Sequence, residues 1–153
     1  MYTRYADLNT DRSDLIEIYW DFIEFMGDCT WLPNSVADAE AHFLSLLNMS
    51  GVDTIVCEES EKVTAAISTL TSPFVFNPEI IHVEEIFWWA AHDADPRAAM
   101  LVMRAAMNWA ETLKDKNEVM VTMKRLEKSP RGVKRVYDRF DLSHIETSHS
   151  GMI

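Results

Sequence analysis

The segment from residue 80 to residue 123 restricts the possible folds more than any other part of the chain. It opens with the apolar and aromatic run "IIHVEEIFWWAA", passes through a charged loop, and then carries apolar residues at helical spacing up to about Leu113. "NEVMVTMKRL" follows, with the β-branched character of a strand. A strand, a helix and a second strand in this order predict a right-handed crossover between two parallel strands. The segment therefore predicts an α/β fold.

The residues before this segment predict a short strand, "MYTRYADL", and then two helices. The first helix is "NTDRSDLIEIYWDFIEFMGD", where Asp11 or Thr10 can cap the start and Gly27 can close the end. The second runs from about residue 36 to residue 48, with Ser35 as its N-cap.

An antiparallel hairpin is predicted next, because "DTIVCEE" and "KVTAAISTLTS" are β-branched runs separated by the polar turn "SE". "PFVFNPE" is bounded by two prolines, which predicts a loop or an edge segment. After the crossover, "SPRGVKRVYDRF" predicts a short helix capped by Ser129 with Pro130 in its first turn, and "LSHIETSHSGMI" predicts a last extended piece. We expect one domain over residues 1–153, with a mixed, mostly antiparallel sheet and helices on both faces.

Composition excludes several classes of protein. A net charge of −11 disfavours nonspecific nucleic-acid binding, which needs a basic surface. No apolar run reaches the length of a membrane span, so we expect no membrane segment. Cys29 and Cys57 have neither a metal-binding nor a disulfide spacing, which favours a reducing cytoplasm, and the scattered histidines predict no metal site.

The charged loop before the third helix, within "HDADPRAAM", has two interpretations. Asp95 as N-cap and Pro96 in the first turn start the helix, whose free N–H groups and dipole can bind an anion. Arg97 adds a planar cation suited to phosphate. Asp93 and Asp95, in contrast, bring negative charge, and a capping Asp satisfies the same amides. The alternatives are a phosphate site and a well-capped helix without a ligand.

Three stretches carry a resemblance to a known family. "VEEIFWWAAHDADPRAAMLVMRAAMNWAETLKD", "RGVKRVYDRFDL" and "SHIETSHSGMI" resemble segments of the Gcn5-related N-acetyltransferase (GNAT) superfamily, and "EEIFWW…WAETL" is especially similar to small GNAT-like proteins of tailed bacteriophages. The resemblance covers nearly the whole chain. It departs from the family at the pyrophosphate loop, usually Arg/Gln-x-x-Gly-x-Gly/Ala, because no glycine occurs between Gly51 and Gly132. The family's Gly-Phe is also replaced, by Phe140-Asp141.

The resemblance implies acetyl-CoA as cofactor and assigns roles to particular residues. Glu84 or Glu85 would be the general base, and Tyr137 would be the acid that protonates the leaving thiolate. The cofactor would be held by the residues at the end of the strand and the start of the helix: Trp89, Ala90, Ala91, His92, Arg97 and Ala98. Each assignment also has an interpretation without function. The glutamates can be solvent-facing carboxylates, Tyr137 can be a tyrosine that packs within its helix, and the loop can be the start of a capped helix.

Two further groups of residues carry open alternatives. The basic run can receive the coenzyme's 3′-phosphate or an acidic partner, or be a solvated helix face; it consists of Lys124, Arg125, Lys128, Arg131, Lys134, Arg135 and Arg139. The aromatic residues of the first helix and the following loop would shape the acceptor pocket according to the resemblance, or form a core stripe or a dimer face; they are Trp20, Phe22, Phe25 and Trp31.

We therefore expect an acetyl-CoA-dependent N-acetyltransferase, phage-encoded and cytoplasmic, that acts on an amine. The rival hypothesis is an interaction protein with the same fold that binds a host or virion protein and has lost the cofactor together with the loop glycines.

Overall fold

A computed structural model describes residues 1–27, 32–115, 117–124 and 131–143. In chain order the elements are β1 (Tyr2–Tyr5), α1 (Arg12–Met26), α2 (Val36–Leu47), β2 (Val52–Glu59), β3 (Lys62–Phe74), β4 (Asn77–Ala90), α3 (Ala98–Thr112) with a 3₁₀ turn at Leu113–Asp115, β5 (Glu118–Thr122) and α4 (Arg131–Arg139).

The five strands form one sheet in the order β1-β2-β3-β4-β5. The first four strands pair antiparallel in sequence, whereas β5 lies parallel to β4 after the crossover through α3. The β2–β3 hairpin turns at Ser60 and Glu61, both with positive φ, as a two-residue hairpin turn requires. The predicted mixed sheet with one parallel crossover is confirmed.

The helices cover both faces of the sheet. On one face, Leu15 and Ile18 of α1 and Phe43 of α2 pack against the sheet, and all three are buried. On the other face, Val102 and Met103 of α3 are fully buried against the same strands. Burying one such aliphatic side chain contributes roughly 1.5–3 kcal/mol, so the two apolar layers hold the sheet between them.

Two predicted boundaries differ from the structure. "PFVFNPE" is not a separate loop, because β3 continues to Phe74 and β4 begins at Asn77, with the turn at residues 75 and 76. The prolines are tolerated since they lie near the tip of this long hairpin. Helix α3 begins at Ala98 instead of at residues 95–96, although Asp95 still accepts a hydrogen bond from the Arg97 N–H.

Helix α1 begins just after Asp11, as predicted, but the Asp11 side chain does not bond to the first turn of the helix. Its carboxylate accepts two hydrogen bonds from the Arg4 guanidinium of β1, at 2.7 and 2.8 Å, and one from the Asp7 N–H. The Ser35 cap of α2 is confirmed, since its hydroxyl accepts from the Asp38 N–H.

The predicted cap at residues 129–130, the final extended piece from residue 144 onward, and Cys29 lie outside the described residues. In the described part of the chain, no helix combines the length and apolar character that crossing a membrane requires.

Candidate active site

Strands β4 and β5 part halfway along β4. Their pairing runs from Ile80 opposite Glu118 to Glu84 opposite Thr122, while β4 continues to Ala90. Beyond Glu84, no described strand pairs with this edge of β4, so its backbone groups border an open cleft.

A β-bulge lies at the parting point. Ser68 of β3 pairs with Phe87 and Thr69 pairs with Glu85, which leaves Ile86 as the extra residue on β4. A bulge interrupts the alternation of side chains between the two faces. Glu85 and Phe87 therefore do not lie on the same face of the sheet, as simple alternation along the strand would place them.

The cleft contains a cavity of about 310 Å³ that is lined by parts of β4 and of three helices and by a residue just after β5. Its lining consists of residues 85–90 of β4, Phe22 of α1, Ala99 of α3, Lys124 after β5, and Val133 and Tyr137 of α4. The lining is mainly apolar and aromatic with few polar groups, as is typical of small-molecule sites.

Glu85 is the buried acid of this cavity, with 7% of its surface exposed. Burial raises the pKa of its carboxyl from 4.5 to about 7, although the Lys124 N–H, which donates to Oε2 at 3.2 Å, opposes the shift. A carboxyl with a pKa near neutrality gives and takes protons readily at physiological pH. Of the two glutamates proposed from sequence, this one has the chemistry of a base.

Glu84 is in a different environment. Its Oε1 forms an ion pair with Lys124 Nζ at 2.7 Å, and the side chain is about a third exposed. The Lys124 ammonium group therefore engages the Glu84 carboxylate at the point where the two strands part.

Tyr137 also contacts Lys124, because its phenol donates a hydrogen bond to the Lys124 carbonyl oxygen. Its ring lies beside Trp88, with the ring centroids 6.0 Å apart. Lys124 thus touches all three predicted catalytic residues: Glu85 through its N–H, Tyr137 through its carbonyl and Glu84 through its ammonium group. From the sequence, Lys124 was placed only in the basic run, as part of a site for the 3′-phosphate or an acidic partner or of a solvated helix face. Its position just after the parallel strand is the signal that could have placed it in the cleft.

The residues that were assigned to cofactor binding lie at the end of β4, in the loop after it and at the start of α3. Trp89 and Ala90 line the cavity, whereas Ala91 and Ala98 are buried in the core. The Ala91 N–H donates to the Thr64 carbonyl, and the Ala98 N–H donates to the Asp95 carbonyl. The loop is therefore anchored to β3 at one end and to α3 at the other.

Two carboxylates bond to amides of this loop. Asp21 of α1 accepts from the His92 N–H at 2.8 Å, and Asp95 accepts from the Arg97 N–H at 2.8 Å. The Arg97 guanidinium folds back onto Asp95 as well, with Nη2 2.7 Å from Oδ2. These bonds to Arg97 lower the pKa of Asp95 to about 2, so it is ionised at any ordinary pH.

The described part of the basic run is partly neutralised. Lys124 pairs with Glu84, and Lys134 forms an ion pair with Asp138 one turn further along α4. Arg125 and Lys128, together with the Arg131 side chain, lie outside the described residues.

The aromatic residues of α1 form a wall between this helix and β4. Trp89 packs against Phe22 and Phe25 at centroid distances of 5.4 and 4.8 Å, and the Trp20 indole N–H donates to Glu40 of α2. The core interpretation holds for this cluster, which also closes one side of the cavity through Phe22. Trp31 lies outside the described residues.

A second hollow, of about 410 Å³, lies where the loop before α1 meets the end of α2. It is larger, but backbone and polar groups form much of its lining, and none of the predicted site residues belongs to it. Among the described residues, no group of three or more His, Cys, Asp or Glu side chains could hold a metal ion.

No protein-family model and no curated protein matches the sequence. The mixed sheet and the four helices of the described residues nevertheless have the GNAT fold, which solved acetyltransferase structures share. The chain superimposes on an acetyltransferase of Trypanosoma brucei with a TM-score of 0.69 at 14% identity, over 99% of this chain and 98% of that one.

Two further solved structures are similar over nearly their whole length. The glucosamine-6-phosphate N-acetyltransferase of Arabidopsis thaliana gives a TM-score of 0.69 at 12% identity, covering 98% of this chain and 96% of that one. A predicted acetyltransferase from Clostridium acetobutylicum, solved with acetyl-CoA, gives 0.64 at 12% identity, covering 98% and 94%.

The chain fits the two ends of acetyl-CoA unequally. The thioester arm needs a narrow apolar cleft with backbone groups along it, and the edge of β4 beside the cavity supplies both. The diphosphate needs unoccupied amides or cations, and two of the loop amides and Arg97 are already bonded to Asp21 and Asp95.

Proposed function

We propose that this protein is an acetyl-CoA-dependent N-acetyltransferase that transfers an acetyl group to an amine, and that residues 1–153 form one domain. The observation that carries the proposal is Glu85, a buried carboxyl with a pKa of about 7 in an apolar cleft at the parting of two strands. The GNAT fold supports acetyl transfer as the reaction class. The amine acceptor is a small molecule or a protein, in the cytoplasm.

Each residue of the cleft has a defined task. When bound, acetyl-CoA supplies the thioester whose acetyl group passes directly to the amine. Glu85 accepts the proton that the attacking amine loses, and the Lys124 N–H orients its carboxylate for this purpose. Tyr137 lies at the same junction, where its phenol donates to the Lys124 carbonyl, and it gives this proton to the leaving sulfur once the phenol turns from the carbonyl toward the cleft.

The other residues of the cleft bind the donor or exclude water from it. The edge of β4 around Trp89 and Ala90 holds the thioester arm, while the aromatic side chains of the cleft keep solvent from it. The loop residues Ala91 and His92, with Arg97 and Ala98 at the helix start, border the far end of the donor.

The rival proposal is an interaction protein that binds a host or virion protein and has no catalytic activity. One observation favours it, namely the carboxylates bonded to the loop amides, since these reduce the affinity for a diphosphate.

A phage origin of the chain, with replication in a host cytoplasm, rests on the "EEIFWW…WAETL" resemblance alone. A homodimer through an apolar face is also part of the proposal.

A ligand-induced stability shift separates enzyme from interaction protein. At acetyl-CoA near a hundredfold above its dissociation constant, we expect about 2–3 kcal/mol of stabilisation in thermal or urea unfolding. The absence of any shift at millimolar acetyl-CoA would exclude the enzyme and leave the interaction protein.

The pH profile tests the role of Glu85. With a model amine acceptor held at a constant concentration of its neutral form, kcat/KM should rise with pH and level off above an apparent pKa near 7, because the base must be deprotonated. Glu85→Gln should lower kcat/KM by about 10²–10⁴-fold and abolish the pH dependence. Glu79→Gln, an exposed change at the far end of β4, is the matched control. Equal loss in both variants would contradict the assignment.

A further inference from the structure

In the loop between β4 and α3, carboxylates of the chain itself occupy two of the amides that could bind an anion. A helix start with free N–H groups ordinarily attracts phosphate or carboxylate groups. Here Asp21 reaches across from α1 to the His92 N–H, and Asp95 turns back to the Arg97 N–H. These contacts place two carboxylates of the chain on amides that an incoming anion would use.

The charge around the loop reinforces this effect. Asp95 is ionised at any ordinary pH because Arg97 lowers its pKa to about 2, so it cannot be neutralised to admit an anion. Arg97, the cation best suited to a phosphate, is bonded to Asp95 through Nε and Nη2. Asp93 adds another exposed carboxylate to the same loop. A diphosphate would have to displace Asp21 and lie beside a permanent negative charge.

The thioester end of the donor meets no such obstacle. The cavity beside β4 is lined by Phe22, Phe87 and Trp88, and the strand edge beyond Glu84 pairs with no described strand. An uncharged pantetheine arm can bind there through apolar contact and backbone hydrogen bonds.

We infer that Asp21 and Asp95 determine donor specificity, so that the site recognises an acetyl thioester of pantetheine through its arm alone and gains nothing from the diphosphate. This inference rests on the proposed acetyltransferase function. According to this inference, the glycine-free loop determines which thioester donors the site prefers.

The wild-type protein tests the inference without any substitution. S-acetylpantetheine and acetyl-CoA, which share the thioester arm, are compared as donors with one model amine. We expect their kcat/KM values to agree within about threefold, less than the tenfold that a difference of 1.4 kcal/mol would produce. Inorganic diphosphate at millimolar concentration should not shift the amide NMR signals of His92 and Arg97.

Variants then test the two residues. Asp21→Ala combined with Asp95→Asn frees the His92 amide and removes a charge from the helix start. The double variant should raise the preference for acetyl-CoA over S-acetylpantetheine by about tenfold, as charge-assisted bonds to phosphate become available. Glu79→Gln removes an exposed charge elsewhere and should leave the preference unchanged. Thermal unfolding verifies that the double variant is folded.

The outcomes separate the inference from the function. If wild type uses acetyl-CoA and prefers it over S-acetylpantetheine by about tenfold or more, the inference is overturned while the acetyltransferase stands. If neither thioester is bound or used, both are overturned. A folded double variant with an unchanged preference would remove Asp21 and Asp95 as the determinants.

Discussion

Glu84 and Glu85 are adjacent and chemically identical, yet their surroundings differ. Glu85 is buried against a backbone N–H, whereas Glu84 meets an ammonium group near solvent. Removal from water disfavours the charged form of a carboxylate. The pKa of Glu85 therefore rises to about 7, and this separates a candidate base from a surface ion pair.

The raised pKa of Glu85 predicts a pH-dependent stability. Between its ordinary value of 4.5 and about 7, the folded chain binds more protons at this carboxyl than the unfolded chain does. The free energy of unfolding should therefore decrease as pH rises through this window, by up to about 3 kcal/mol at about 1.4 kcal/mol per pKa unit.

Urea unfolding at several pH values between 4.5 and 8 measures this decrease. Glu85→Gln carries no ionisable group, so its stability should decrease less over the same range than that of wild type and of the Glu79→Gln control. Parallel curves for Glu85→Gln and wild type would show that the carboxyl is not desolvated.

At the scale of elements, β1 is an edge strand of the sheet, and one arginine joins it to its neighbours. Arg4 donates to Asp11 at the start of α1 and to Glu58 of β2, both at 2.7 Å. The Asp11 side chain is 5% exposed, and the pKa of its carboxyl is lowered because Arg4 bonds to it. This contact gives the short strand a fixed position that its four residues alone would not provide.

Removing Arg4 should be costly for this reason. Arg4→Ala leaves the Asp11 carboxylate buried without its cation, and we expect a loss of about 2 kcal/mol in the free energy of unfolding by urea at pH 7. Lys62→Ala breaks the exposed ion pair with Glu17 and serves as control, with no measurable change expected. Equal effects of the two substitutions on the free energy of unfolding would show that the ion pair of Arg4 and Asp11 contributes no more than an exposed ion pair does.

At the scale of the whole molecule, an aromatic cluster joins the sheet to the first two helices. Phe87 of β4 lies edge-on to Phe22 of α1 and to Phe43 of α2, with centroids 5.5 and 5.2 Å apart. Because Phe22 and Phe87 also line the cavity, the contacts that stabilise the core set the width of the cleft as well.

Substitutions of two phenylalanines, one in β4 and one in the β3–β4 turn, test whether the aromatic cluster holds the helices to the sheet. Phe87→Ala removes a ring that is 6% exposed and should cost about 3–5 kcal/mol in urea unfolding. Phe76→Ala removes a ring that is 87% exposed at the β3–β4 turn and should change stability by less than about 0.5 kcal/mol. A small effect at Phe87 would mean that the cluster does not fix the helices.

The sequence by itself determined the order of the elements, the β2–β3 hairpin and the parallel crossover through α3. Periodicity, turn residues and caps act over a few residues, so they can be read locally. The extent of β4 was harder to predict. The two prolines near its hairpin tip are typical of a loop, and the bulge at Ile86 interrupts the alternation of side chains between the two faces.

Only the tertiary structure decided which glutamate is buried, which residue joins the site and what bonds to the loop amides. Glu85 and Lys124 are 39 residues apart, and Asp21 and His92 are 71 apart. Burial and hydrogen bonding at such separations depend on how α1, β4 and β5 pack together. The pattern of residues along each element does not contain that information.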